Sequence, residues 1–173
     1  MPATYTLINS NVLTSSTASV TFSSIPSTYT DLVVRMSLRA EDTDPGGDRI
    51  KVVLNGNSSS IYSMTNIVGF GSGGYGSAAL SSQTYLTLRY TNQGGMTTNA
   101  FGSAELYIPS YTVSQNKPMN GMSVQETNSA SARMSATAGL FSSTSAITSM
   151  EFLPYSGNWL TGSSFYLYGI SNA

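Results

Sequence analysis

The chain has 173 residues with no cysteine and no histidine, which excludes a disulfide framework, a thiolate centre and imidazole acid–base or metal chemistry. Only 9% of residues are charged and the formal net charge is −1, where ordinary soluble domains carry about 25% charged residues, so a phosphate-tracking surface is excluded and nucleic acid is not an expected partner. The apolar content of 40%, with eleven Tyr and six Phe, is enough for one real core, so a single domain over 1–173 is expected rather than a disordered chain.

The opening MPATYTLINS has neither the basic nor the apolar segment of a signal peptide, and no run reaches the roughly 18 apolar residues of a membrane span. The expectation is synthesis in the cytoplasm without an export signal, and no membrane partner. From TYTLIN onward, short runs alternate apolar and polar residues between clusters of Gly, Pro, Asn and Ser. Val20 and Phe22 share a face, and Leu32, Val34, Met36 and Leu38 oppose Val33, Arg35, Ser37 and Arg39. The same period gives Ile50, Val52 and Leu54, then Leu86, Leu88 and Tyr90, then Ala104, Leu106 and Ile108. Beyond Pro118, Met119, Met122 and Val124 form an inward set with a bulge, and Met134, Ala136, Ala138 and Leu140 form another. AITSMEFLP and SSFYLYGI close the series, the latter with Phe165 and Leu167 opposing Tyr166 and Tyr168.

About eight to ten strands without a helical pattern predict an all-β, antiparallel two-sheet jelly-roll-like sandwich. An immunoglobulin-type Greek key is the alternative, but its cysteines are absent and Trp159 lies in a loop-like GNWLTG. Residues 58–82, with GFGSGGYG at their centre, are too rich in glycine and serine for a strand interior and read as a loop or an extended arm.

The densest chemistry is EDTDPGGD at 41–48, where Asp42, Asp44 and Asp48 offer hard oxygen ligands for a cation. The order of an EF-hand loop is missing, and the plainer reading is a polar turn. If 31–40 and 49–55 pair as a hairpin, Arg35, Arg39, Arg49 and Lys51 gather at that turn and balance its charge, which favours an orienting contact at a subunit rim over a bound ion. No metal and no cofactor are therefore expected. Nor is an enzyme: serine lacks a histidine partner or an S-x-x-K spacing, and Glu105 and Glu126, the best carboxylate pair, read as solvent-facing strand residues. Tyr62, Phe70, Tyr75, Tyr85 and Tyr111 divide between core positions and a partner-binding or sugar-stacking surface.

TYTLINSNVLTSSTASVTFSSIPSTYTDLVVRMSLRA, NAFGSAELYIPSY with NKPMNGMSV, and the closing GSSFYLYGI together resemble a family of small structural proteins of tailed bacteriophages, including cyanophages. The resemblance runs along nearly the whole chain, and it is weakest over 69–82. It implies a jelly-roll-like virion component on the phage particle surface, assembled as a homotrimer. Its expected role is a capsid decoration or cement protein against the major capsid protein, or alternatively a tail, baseplate or fibre component with a host-glycan or receptor-binding role among other tail proteins. It implies no active-site residues. The outward Tyr166 and Tyr168, with Arg35, Arg39, Arg49 and Tyr75, are the expected subunit contacts.

Overall fold

The computed structural model describes residues 4–43, 48–128 and 132–171, without the side chain of Asp48. Among them there is no helix. The twelve strands are β1 (Tyr5–Val12), β2 (Val20–Phe22), β3 (Asp31–Ala40), β4 (Asp48–Leu54), β5 (Tyr62–Phe70), β6 (Tyr75–Gln83), β7 (Leu86–Gln93), β8 (Gly102–Ile108), β9 (Lys117–Gln125), β10 (Arg133–Phe141), β11 (Met150–Pro154) and β12 (Ser164–Ile170). The count exceeds eight to ten because the glycine-rich stretch supplies two strands. β5 and β6 form a hairpin, with Tyr62, Met64, Asn66 and Val68 inward. The glycines do their work at its tip, where Gly73 and Gly74 adopt φ of 82° and 106° and Phe70 N–H donates to Gly74 O at 3.2 Å. Within 58–82, residues 62–70 and 75–82 are thus strand rather than loop, and only 58–61 and the tip at 71–74 are irregular.

Eight strands form an antiparallel ladder in the order β1-β12-β3-β8-β9-β10-β5-β6, and four form a second, β2-β11-β4-β7. The two join where the end of β3 meets β7 in parallel, Arg39 beside Asn92 and Ala40 beside Gln93. The result is a sandwich-like all-β fold with one continuous apolar core. Leu32, Val34 and Leu38 of β3, Ile50, Val52 and Leu54 of β4, and Leu86 and Leu88 of β7 are all fully buried, each contributing about 1.5–3 kcal/mol.

β7 lies so close over β9 and β10 that those strands can offer it only small residues. A Cβ on Gly121 would stand 2.4 Å from Leu88 Cδ2, and one on Gly139 would stand 2.4 Å from Leu86 Cδ1. Beyond the Gly121 socket the inner face is polar: Ser123 and Ser135 hydroxyls both donate to Arg89 O, a carbonyl beside the β7 bulge at Tyr90. Ser135 and Thr137 are consequently buried while Met134, Ala136 and Ala138 face outward, the reverse of the assignment by hydrophobicity. Met122 is likewise outward, and the β9 ladders run without a bulge.

No hairpin joins β3 to β4: β3 pairs with β12 and β8 in one ladder, β4 with β7 and β11 in the other. Trp159, though outside any strand, is in the core: it bridges Thr17 and Ala40, its Nε1–H donates to Phe152 O at 3.1 Å, and its ring meets Phe165 at 5.8 Å.

Candidate functional site

Because β3 and β4 part company, the four cations expected around the acidic turn are dispersed. Arg35 points outward from β3, its Nε 3.0 Å from Glu105 Oε2 on β8, both side chains about half exposed. Arg39 is buried. Its guanidinium donates to the carbonyls of Thr97 (2.6 Å), Ala100 (3.1 Å), Met96 (3.2 Å) and Gly94 (3.3 Å), holding the β7–β8 connection in shape. This overturns its placement at a rim, and the reason is the joint with β7: Leu38, Arg39 and Ala40 are covered on both sides there, so the alternation of β3 stops.

Arg49 and Lys51 stand on the outer face of the four-stranded sheet. Arg49 is directly opposite Arg89 of β7, and Lys51 is one step along the strand. Tyrosine rings lie beside these cations: Tyr155 is 4.8 Å from both Arg49 and Lys51, and Tyr85 is 5.4 Å from Lys51. Like charges face to face on a sheet destabilise it, and the ring faces partly offset that repulsion. The outcome is a cationic, tyrosine-bearing face, in which Arg89 is a member that sequence spacing alone did not bring forward.

Of the acidic turn, Asp44 lies outside the described residues, and the Asp48 side chain does too. Asp42 is half-buried, and its carbonyl accepts from Gly94 N–H at 2.9 Å. Among the described residues no three carboxylates gather as a metal-holding group. Glu41 Oε2 accepts from Asn158 N–H, and Glu126 Oε1 caps its own turn through Thr127 N–H (2.9 Å) and Asn128 N–H (2.7 Å). Glu105 is opposite Met122, four residues from Glu126, about 13 Å of strand and beyond the spacing of a glycosidase pair. Lys117, buried at the start of β9, donates to the carbonyls of Val113, Gln115 and Thr144, and burial lowers its pKa.

A second surface is the outer face of the eight-stranded ladder. One residue per strand lines up across it: Ser10, Tyr166, Arg35, Glu105, Met122, Ala136, Ile67 and Ser77. The parallel line Val124, Met134, Gly69, Tyr75 lies beside it. Ile67 is 62% exposed, Met134 50%, Met122 46% and Tyr75 87%. No charged residue points outward from β9, β10, β5 or β6 within the strands. These four side chains present on the order of 400 Å² of apolar surface, within the range of the largest patch on a monomer. Tyr166 and Tyr168 do face outward, but β12 is an interior strand: β1 covers its free side, and Tyr168 meets the Tyr5 ring edge-on at 6.4 Å. Tyr5, Tyr168 and Arg35 line a depression of about 310 Å³.

No protein-family model matches the chain, and no curated protein matches it in sequence.

Proposed function

We propose that the chain is a structural component of a tailed-phage particle: a jelly-roll-like subunit that packs on the capsid shell as a homotrimer, decorating and cementing it. The observation that carries this reading is the outer half of the large sheet, whose strands β9, β10, β5 and β6 turn no charge outward and leave Ile67, Met122, Met134 and Tyr75 exposed, with Glu126 at its border just past β9. A patch of that size gains from being covered, and a partner that covers it needs shape and apolar surface rather than charge. The resemblance to phage structural proteins supplies the kind of particle. Quantitative gel analysis of purified particles tests it: decoration requires hundreds of copies, and absence of the chain from the particle refutes it.

The cationic, tyrosine-bearing face of the four-stranded sheet favours a second reading, a tail component that meets an acidic glycan of the host surface through Arg49, Lys51 and Arg89. A handful of copies per particle, together with binding to acidic but not neutral polysaccharide, distinguishes it from the first.

A further inference from the structure

The eight-stranded ladder ends in two strands that no other strand covers among the described residues: β1 pairs with β12 alone, and β6 with β5 alone. We propose that copies of this chain join edge to edge, β6 of one copy pairing antiparallel with β1 of the next, so that the ladder runs on across the subunit boundary and closes as a ring. The proposal rests on the reading of the chain as a self-assembling particle component and identifies the contact by which it assembles.

An exposed strand edge is a row of unpaired N–H and C=O groups, and monomeric proteins blunt it with charge, proline or shortness. The four-stranded sheet is protected in this way. It ends on one side in β2, three residues long, and on the other in β7, whose last residues are tied to β3. The large sheet lacks charge, proline and shortness at its edges, and the one bulge in each edge strand, between Leu7 and Asn9 in β1 and between Leu80 and Gln83 in β6, leaves Asn9–Val12 and Tyr75–Leu80 regular. Neither YTLINSNV in β1 nor YGSAALSSQ in β6 contains a charged residue or a proline. Their eight and nine residues are matched in length, about 27–30 Å of ladder.

Direction and side chains agree with the pairing. Seven successive antiparallel pairs separate the two edges, so β1 and β6 run opposite ways, and a second copy continuing the sheet sets its β1 antiparallel to β6. At one edge Tyr5, Leu7 and Val12 are each about half exposed; at the other are Tyr75 and Leu80. An uncharged edge selects an uncharged edge, and the chain carries one of equal length on its opposite side. A two-fold β6–β6 contact would leave Tyr5, Leu7 and Val12 open to water, whereas the head-to-tail contact covers both edges with one interaction. Heterologous contacts of this kind build rings when the rotation closes. The cross-sheet line that begins at Ser10 and ends at Ser77 then continues over the joint, with Ser77 beside the next copy's Ser10.

The experiment uses the full chain and sedimentation velocity over a concentration series. Wild type is expected at a small multiple of the protomer mass. Two double variants differ only in the sign of one residue: Ser77→Lys with Ser10→Lys opposes like charges at the joint, and Ser77→Lys with Ser10→Glu opposes unlike ones. Both serines are exposed, so circular dichroism and melting serve as the folding control. The Lys/Lys variant is expected to dissociate about tenfold more readily than wild type and the Lys/Glu variant to stay assembled. Equal dissociation of both variants overturns the head-to-tail joint in favour of β6–β6 pairing. Assembly unchanged in both overturns edge pairing altogether while leaving the particle-component reading standing. A wild-type chain that remains monomeric at every concentration overturns the proposal and counts against the assembly reading as well.

Discussion

Replacing Arg39 by Met removes a buried guanidinium while keeping an unbranched aliphatic side chain in its place. Four carbonyls between Gly94 and Ala100 lose their donor. A hydrogen bond from a charged donor contributes about 1.5–3 kcal/mol, but two of these four exceed 3.1 Å and the connection is exposed on its outer side, where water can replace part of what is lost. The expected net cost is about 3 kcal/mol. For a domain of this size that lowers Tm by roughly 6–12 °C. Differential scanning calorimetry measures the shift, and hydrogen exchange with limited proteolysis should show the damage concentrated between Gly94 and Ala100. Arg39→Lys, with three donors but no planar fork, is expected to fall between the two. A variant that melts within about 2 °C of wild type and keeps the connection protected would refute the reasoning, and so would a change in oligomer mass without a change in Tm, since a rim contact would behave that way.

Three further outcomes follow from the same geometry. Gly121→Ala places a methyl 2.4 Å from Leu88 Cδ2 and 3.0 Å from Glu105 O, so chemical denaturation should show a loss of about 1–3 kcal/mol despite the conservative change. Tyr62 is buried, its hydroxyl donating to Asn57 O and accepting from Leu54 N–H, and burial raises its pKa above the usual 10.0; Tyr111 is raised for the same reason. The unfolded chain therefore ionises these phenols first, and their contribution to stability falls as pH climbs through 10. Lys117, with its lowered pKa, contributes the opposite slope on the approach to 10.5, so the comparison that isolates the tyrosine is wild type against Tyr62→Phe, whose urea midpoint should fall less steeply between pH 9.5 and 11 (about the tyrosine range). Glu105→Gln breaks the half-exposed pair with Arg35 and should cost less than about 0.5 kcal/mol, measured by the same denaturation.

Where one face of a strand meets apolar side chains and the other meets water, the sequence pattern is sufficient. Leu32, Val34, Met36 and Leu38 of β3 and Ile50, Val52 and Leu54 of β4 are inward as their alternation requires. The pattern fails in β9 and β10 because what lies beneath them is a backbone. A strand that must receive the Arg89 carbonyl and the tips of Leu86 and Leu88 needs hydroxyls and glycines there, and its Met and Ala are left for the outside. The signal is present in the sequence, as Gly121 and Gly139 on adjacent strands, yet glycine in a strand reads as weakness unless the crossing strand is known. The same bias hid β5 and β6. Charges were harder still: Arg35, Arg39 and Arg49 share a residue type and a neighbourhood in sequence, and end at a surface ion pair, a buried clamp and a cationic sheet face. Only pairing decides among these, and adjacency in sequence points to a β3–β4 pairing that the ladders exclude, since β3 pairs with β12 and β8 and β4 with β7 and β11.

The position of β12 has a consequence for the order of events as the protein forms. β12 is inserted between β1 and β3, and its partners on β1 lie between 152 positions (Val12 to Ser164) and 165 positions (Tyr5 to Ile170) away along the chain. A growing chain therefore carries the whole of β1, and one side of β3, without a mate until nearly everything else has been made. Closure of so long a loop is slow, and the waiting strands are the ones most open to a wrong neighbour. A cell producing this protein fast enough to crowd its nascent chains would meet that hazard at β1, and slowing synthesis or lowering temperature should raise the yield of correctly closed sheets.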